Sequence, residues 1–265
     1  SVSTCLIATA LVLSLTPASA GADTLTVSQW GDGYPTINDA IDASVDGDLI
    51  SVEMGIYNED VDFDGKNVAV VSVSGPSVTS ILGNSTAVRL DSGETEDASL
   101  DGFTVSSNGS QGIYVADASP LIRDCTITGS TSYAAYVYYL GNPTFEDCTF
   151  ENNSGTYPVY VYYYAAATFT GCTFQDNTAQ HGGALYASTY SDVVIDDCTF
   201  LNNSATNWGG TIHTYRSTMA LTDSHFEGNS GYWGNVAVYE SNGPVVIRNH
   251  VFFDNTAEYG GRLYT

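Results

Sequence analysis

The 265-residue sequence predicts an all-β fold, a right-handed parallel β-helix (a solenoid) with a short N-terminal capping helix. Three observations predict it. A four-residue motif recurs six times without gaps, about every 25 residues. Its second and fourth positions are apolar, so on a strand they share one face and the position between them faces away. No repeat carries the 3.6-residue apolar pattern of a helix, and the segments are rich in β-branched and aromatic residues.

The six copies begin Asp124-Cys125-Thr126-Ile127, Asp147-Cys148-Thr149-Phe150 and Gly171-Cys172-Thr173-Phe174. They continue with Asp197-Cys198-Thr199-Phe200, Asp223-Ser224-His225-Phe226 and Asn249-His250-Val251-Phe252. The second position steps by 23, 24, 26, 26 and 26 residues. A weaker copy, Gly102-Phe103-Thr104-Val105, lies one step upstream. Three residues before the Cys column runs an apolar column, Ile122, Phe145, Phe169, Ile195, Leu221 and Ile247. Three residues after the Phe column runs an Asn column, Asn153, Asn177, Asn203, Asn229 and Asn255. Units this short cannot hold helix pairs, so each is one coil of short strands and turns. Stacked coils put equivalent residues about 4.8 Å apart. The Phe residues then form an internal stack, and the Asn amides bond to the next copy along the axis. Crossovers between parallel strands are right-handed, which sets the hand.

A second strand follows each Asn: Gly182-Gly183-Ala184-Leu185-Tyr186, Gly209-Gly210-Thr211-Ile212-His213 and Gly260-Gly261-Arg262-Leu263-Tyr264, with a looser copy from Gly234-Asn235. Phe-x-x-Asn followed by Gly-Gly-Ala-Leu resembles the repeat of the polymorphic outer-membrane protein family, over roughly residues 145–265. That resemblance implies a secreted, surface-displayed parallel β-helix, often an adhesin, usually followed by a transporter barrel. No barrel occurs in these residues.

Residues 1–20 carry no charge. The apolar run Leu6 to Leu15 and the ending Pro17-Ala18-Ser19-Ala20 read as a signal peptide cleaved after Ala20. The run is too short to span a bilayer, so no transmembrane helix is expected in the mature chain. Residues 21–60 form the N-terminal cap and first coil, and residues 61–265 the repeats. Ile37, Ala40 and Ile41 have helical spacing just after Pro35. With Gly47-Asp48-Leu49-Ile50-Ser51-Val52, Gly55-Ile56-Tyr57-Asn58-Glu59 and Lys66-Asn67-Val68-Ala69-Val70, this helix resembles the start of pectinesterase-like and other pectin-lyase-fold proteins. Such a helix covers the open end of the stack. The last coil stops at Thr265 without a polar cap, and no initiator Met is present, so the reading frame is expected to extend past both ends.

The chain has 30 acidic and 6 basic residues, net charge −24. That excludes nucleic acid and disfavours anionic membranes, whose phosphates need Lys and Arg. It suits solubility, salty surroundings or divalent cations. The pectin-lyase resemblance implies enzymes that act on acidic polysaccharides with Asp, Arg and Lys on neighbouring coils. A pectinesterase's Gly-Asp-Phe segment is missing, and a polygalacturonase's motifs reduce to Asp196-Asp197. Arg123 and Arg248 share a column but lie about 24 Å apart. No catalytic residue is therefore assigned, and a polysaccharide-acting lyase, esterase or hydrolase is kept as the alternative. His181, His213, His225 and His250 lack the spacing of a metal pair, and His250 replaces a core residue.

Asp124, Asp147, Asp197 and Asp223 stack on the outer side, where like charges repel. They either cap turns by accepting backbone amides or hold calcium, the one cofactor the sequence suggests. Cys125, Cys148, Cys172 and Cys198 form an internal ladder of free thiols, because in-register Cβ atoms about 4.8 Å apart are too distant for disulfides. Leu185 points inward with counterparts Val137, Val161 and Ile212, which sends Tyr136, Tyr138, Tyr160, Tyr162, Tyr186 and His213 outward. These six form the candidate binding face, for a glycan or a cell-surface partner. The sequence thus predicts a secreted, extracellular or outer-membrane-surface β-helix with an adhesive, binding or structural role. A spacer for a further C-terminal module is the third possibility.

Overall fold

The computed structural model describes residues 21–109 and 111–259, and the backbone of 263–264. The expected signal peptide lies outside the described residues. Every strand pairs in parallel with its equivalent one coil away. A first sheet of ten strands runs from Thr24–Val27 to Val245–Arg248. A second sheet of nine runs from Gly55–Tyr57 to Val251–Phe253, and a third of nine from Val61–Asp62 to Leu263–Tyr264. A fourth sheet has four strands, Thr178–Ala179, Ser204–Trp208, Ser230–Trp233 and Thr256–Tyr259. The result is a right-handed parallel β-solenoid of about nine turns.

The register of the repeat is the register of the sheets. Ile127, Phe150, Phe174, Phe200, Phe226 and Phe252 pair in order along the second sheet. Their phenyl rings stack at 4.6–4.9 Å, within 16° of parallel. Phe150, Phe174, Phe200 and Phe226 are fully buried. Ile122, Phe145, Phe169, Ile195, Leu221 and Ile247 pair along the first sheet, and the two columns meet edge to face at Phe145 and Phe150.

The Asn column forms a continuous ladder. The Nδ2 of Asn153, Asn177, Asn203 and Asn229 each donates to the Oδ1 of the next Asn at 2.9–3.0 Å. Each amide also donates to a carbonyl of the preceding coil, as Asn203 does to Phe174 at 2.8 Å. Each Oδ1 accepts in addition the backbone N–H of the Asn before it. These bonds satisfy a buried corner that no strand ladder reaches.

The four cysteines are free and buried. Their column has a function that the sequence did not reveal. Cys148, Cys172 and Cys198 point their Sγ atoms at the carbonyls of Ile122, Phe145 and Phe169, at 3.4–3.5 Å. His250 continues the pattern through Nε2 to the Leu221 carbonyl at 2.9 Å, while its Nδ1 accepts from the Ser224 amide. Ser224 donates instead to the carbonyl of Thr222, two residues back, an acceptor position that Cys172 and Cys198 also reach, so the column calls for a donor, which Cys, Ser and His each supply. Burial pushes the Cys148 thiol up, which keeps it protonated. A thiol reagent added to unreduced native protein is expected to react with none of Cys125, Cys148, Cys172 or Cys198, and with all four after unfolding. Absence of reaction after unfolding would overturn the thiol ladder.

The Asp column is corrected. Asp124, Asp147, Asp197 and Asp223 have φ of 50°, 51°, 52° and 50°, and Gly171 and Asn249 share that left-handed region. No backbone amide donates to the four carboxylates among the described residues. The position selects residues that tolerate positive φ, which explains why Asp, Asn and Gly interchange there.

At the N-terminal end the helix Ile37–Ala43 packs Ile37, Ala40 and Ile41 onto the first coils. The Thr36 hydroxyl accepts the Asp39 amide at 3.0 Å, and the Glu59 carboxylate accepts those of Ile37 and Asn38. The only lysine, Lys66, donates to the carbonyls of Ile41, Asp42 and Ser44 at the other end. Both helix termini are thus tied to the coil beneath.

Candidate binding site on the third sheet

The outer face of the third sheet carries the aromatic residues singled out by the sequence. Tyr114, Tyr136, Tyr160, Tyr186, His213 and Ala237 pair in one column. Tyr138, Tyr162, Ser188, Tyr215 and Tyr239 pair in the next. The alternation is as expected, but the register differs by two residues. Leu185 pairs with Val159 and Ile212, whereas Val137 and Val161 pair with each other and with Ala187. A shift of two keeps every side chain on its face, so Val137 and Val161 still point inward.

The rings stack on one another. Tyr136 to Tyr160 is 5.5 Å at 8°, Tyr160 to Tyr186 is 5.2 Å at 7°, and Tyr186 to His213 is 4.9 Å at 25°. Tyr138 and Tyr162 stack at 5.9 Å, and across the columns Tyr160 meets Tyr162 at 5.1 Å. Two expectations are corrected by this stacking. The six residues are not freely exposed: the tyrosines are half-buried, and His213 is buried with 5% of its surface open. And Tyr136, Tyr160, Tyr186 and His213 turn their faces to one another along the axis. Exposed tyrosines lie one corner further on, at Tyr139, Tyr163, Tyr164 and Tyr190. All four have positive φ, a conformation that bulky residues seldom adopt, so the corner holds its rings outward at a backbone cost.

Burial raises the phenol of Tyr186 to about 12, and those of Tyr136 and Tyr160 further. The hydroxyls stay protonated at any ordinary pH. Tyr160 shares a hydrogen bond of 3.1 Å with Ser188. Arg216 lies 5.0 Å over the Tyr215 ring and pairs with Glu240 at 2.7 Å.

The second column is interrupted at Ser188, and the first ends its run of rings beyond His213. Where the tyrosine column passes to His213 and then Ala237, a cleft of about 290 Å³ opens. It is lined by Tyr157, His181, Tyr186, Trp208, Tyr215 and Tyr239 around His213. The fourth sheet supplies its side wall, in which Trp208, Trp233 and Tyr259 stack at 5.0 and 4.7 Å. Gly182, Gly209 and Gly234 join that sheet to the third, with φ of 55°, 56° and 55°. A Cβ on Gly182 would stand 2.1 Å from the Leu185 carbonyl oxygen, so only glycine fits. His181 and His213, which showed no metal spacing in the sequence, are neighbours with ring centroids 5.8 Å apart. Burial and the His181 ring lower His213 to about 3, so it is neutral. Neither of its ring nitrogens has a hydrogen-bond partner. Trp208 and His181 were not among the sequence candidates. The signal for them was the lengthening of the repeat to 26 residues in the coils that carry the fourth sheet.

Among the described residues, no group of three His, Cys, Asp or Glu side chains is placed to hold a metal ion. No helix among them is long and apolar enough to cross a membrane, which says nothing of a β-barrel.

The stacked coils, the inward Phe and Asn columns and the capping helix define a parallel β-solenoid. The family described as "Right handed beta helix region" matches residues 86–251, and the chain belongs to it. No curated protein matches the chain. Among solved structures it is similar to the pectin methylesterase from carrot, at 15% identity and a TM-score of 0.62, covering 94% of this chain and 90% of that one. It is also similar to pectin methylesterase PemA from Erwinia chrysanthemi, at 13% and 0.55, covering 84% and 82%. A third is the pectin methylesterase from Aspergillus niger, at 16% and 0.51, covering 91% and 86%. At these identities the likeness is one of fold.

Proposed function

We propose that the protein is a secreted, surface-displayed β-helix that binds a neutral polysaccharide along the aromatic face of its third sheet, in an adhesive role. The observation that carries this is the pair of tyrosine columns with their exposed corner, at Tyr136, Tyr160 and Tyr186, at Tyr138 and Tyr162, and at Tyr139, Tyr163, Tyr164 and Tyr190. Protonated phenol hydroxyls repeat along the axis at the coil spacing, and offer a sugar chain donors and acceptors in register. Outward rings at the corner offer apolar contact to the sugar's C–H faces. A net charge of −24 disfavours polyanionic chains such as pectate. The Phe-x-x-Asn and Gly-Gly repeats, with their resemblance to the polymorphic outer-membrane repeat, support surface display.

In a glycan and cell-surface binding screen, wild type is expected to bind at least one neutral polysaccharide, and the Tyr138→Ala/Tyr162→Ala double mutant to bind it at least about tenfold more weakly. Unchanged binding in a folded double mutant would overturn the platform. The second reading, a carbohydrate-acting enzyme, is supported by the fold shared with the pectin methylesterases. Methanol released from methyl-esterified pectin by the same preparation would favour it over the binder.

A further inference from the structure

We infer that the cleft over His213 is a separate subsite that takes one neutral pyranose ring, seated against His213 at the level where the column holds Ala237, with Tyr239 and Trp208 as its walls. This rests on the neutral-glycan reading above and adds a place for a single sugar residue, such as a chain end.

The first support is the arithmetic of the column. Neighbouring rings in it stand about 5 Å apart, one coil per ring. Tyr186 and Tyr239 belong to adjacent columns: His213 stacks on Tyr186 at 4.9 Å and Tyr239 on Tyr215 at 5.7 Å, so the first column ends its run of rings at His213 while the second continues one coil further. The His213 imidazole is shorter than a phenol, and on the level of Tyr239 the first column holds only Ala237. Tyr239 leans across that gap to within 5.7 Å of Trp208, and so forms the far wall. The space left is about 290 Å³, enough for one sugar ring with its hydroxyls.

The second support is chemical. His213 is 95% buried, since 5% of its surface is open, and both ring nitrogens lack partners. The Nδ1 of His181 beside it is also buried without a partner. Buried polar groups left unpaired are rare and costly, so their retention here calls for an occupant. A neutral imidazole presents one N–H and one lone pair. Neighbouring sugar hydroxyls meet both, one accepting and one donating, whereas a bare aromatic ring or a quaternary ammonium ion meets neither. Tyr239 lines the same cleft and is itself 42% exposed, which makes it the wall that turns outward to admit the hydroxyls.

The test uses the full chain and single-ring probes: the methyl glycopyranosides of glucose, galactose and mannose, with p-cresol as an aromatic ring carrying a single hydroxyl and tetramethylammonium as a cation. Tryptophan emission and the histidine side-chain NMR signals report the site. At least one glycoside is expected to bind in the millimolar range and shift the His213 signals. His213→Tyr, which continues the phenol column, fills the cleft and is expected to weaken that binding by at least about tenfold. Tyr239→Ala, at an exposed position, removes one wall and is expected to do the same if His213→Tyr fails to fold. The Tyr138→Ala/Tyr162→Ala mutant is expected to bind the glycoside as wild type does. Loss of polysaccharide binding with the glycoside retained sinks the platform alone. No glycoside binding, binding unchanged in the two cleft variants, or binding of p-cresol or tetramethylammonium in place of sugars would overturn the subsite.

Discussion

Phe200→Ala is expected to lower stability by about 3–5 kcal/mol, the range for truncating a fully buried aromatic. Phe200 is closed to solvent, and its ring stacks on Phe174 at 4.8 Å and on Phe226 at 4.6 Å. Its removal leaves a hole between two rings that are fixed by their own strands, so the cavity cannot collapse. Thr173→Ala, facing out on a strand of the same sheet, is expected to cost under about 1 kcal/mol. Denaturant melts of the two mutants check the strand phase, and small, equal losses would refute it.

Asn203→Ala is expected to cost about 4 kcal/mol, comparable to the loss of a core phenylalanine although the residue is polar. The side chain donates to the Phe174 carbonyl and to Asn229, and accepts both the backbone and the side-chain N–H of Asn177. Truncation strands several of these partners away from water, each at roughly 1–3 kcal/mol. Asn203→Asp retains the shape and is expected to lose as much at neutral pH, since a carboxylate would face two acceptor oxygens. Burial raises that carboxyl's pKa in the folded state, so the neutral form is favoured there. Stability is then highest below the ordinary Asp value near 4 and falls as pH rises through the raised folded value. A melt series between pH 3 and pH 7, as a rough bracket of that window, reads the slope. An Asn203→Ala loss under about 1 kcal/mol would mean the ladder is decorative.

The coil, its hand, the inward Phe, Cys and Asn columns and the capping helix were legible in the sequence because each is a repeated column. A position that recurs every coil reports its environment several times over. The errors fell where a column's inside-or-outside pattern did not depend on the point at issue. The two-residue register shift at Leu185 escaped notice because a slip of two preserves the inside and outside of every residue. The left-handed corner at Asp124 and its equivalents was legible only in retrospect, through the substitution of Gly171 and Asn249. The cleft was not legible because it arises from residues that break the columns, His213 and Ala237. Its Trp208 wall exists only where the coil gains residues after the Asn.

The contacts that join one coil to the next, whether backbone bonds, Asn amides or stacked rings, all lie along the solenoid axis. Under tension along that axis, the junctions between coils bear the load in series, and the bonds within each junction share it. Such a rod does not stretch evenly; it parts first at its weakest junction. The Asn rail runs from Ser130, whose amide donates to Asn153, to Asn255, and the coils before it have no part in it. Pulled from both ends, the molecule would therefore give way in the coils before Ser130, while the reinforced segment that carries the tyrosine face and the cleft stayed wound.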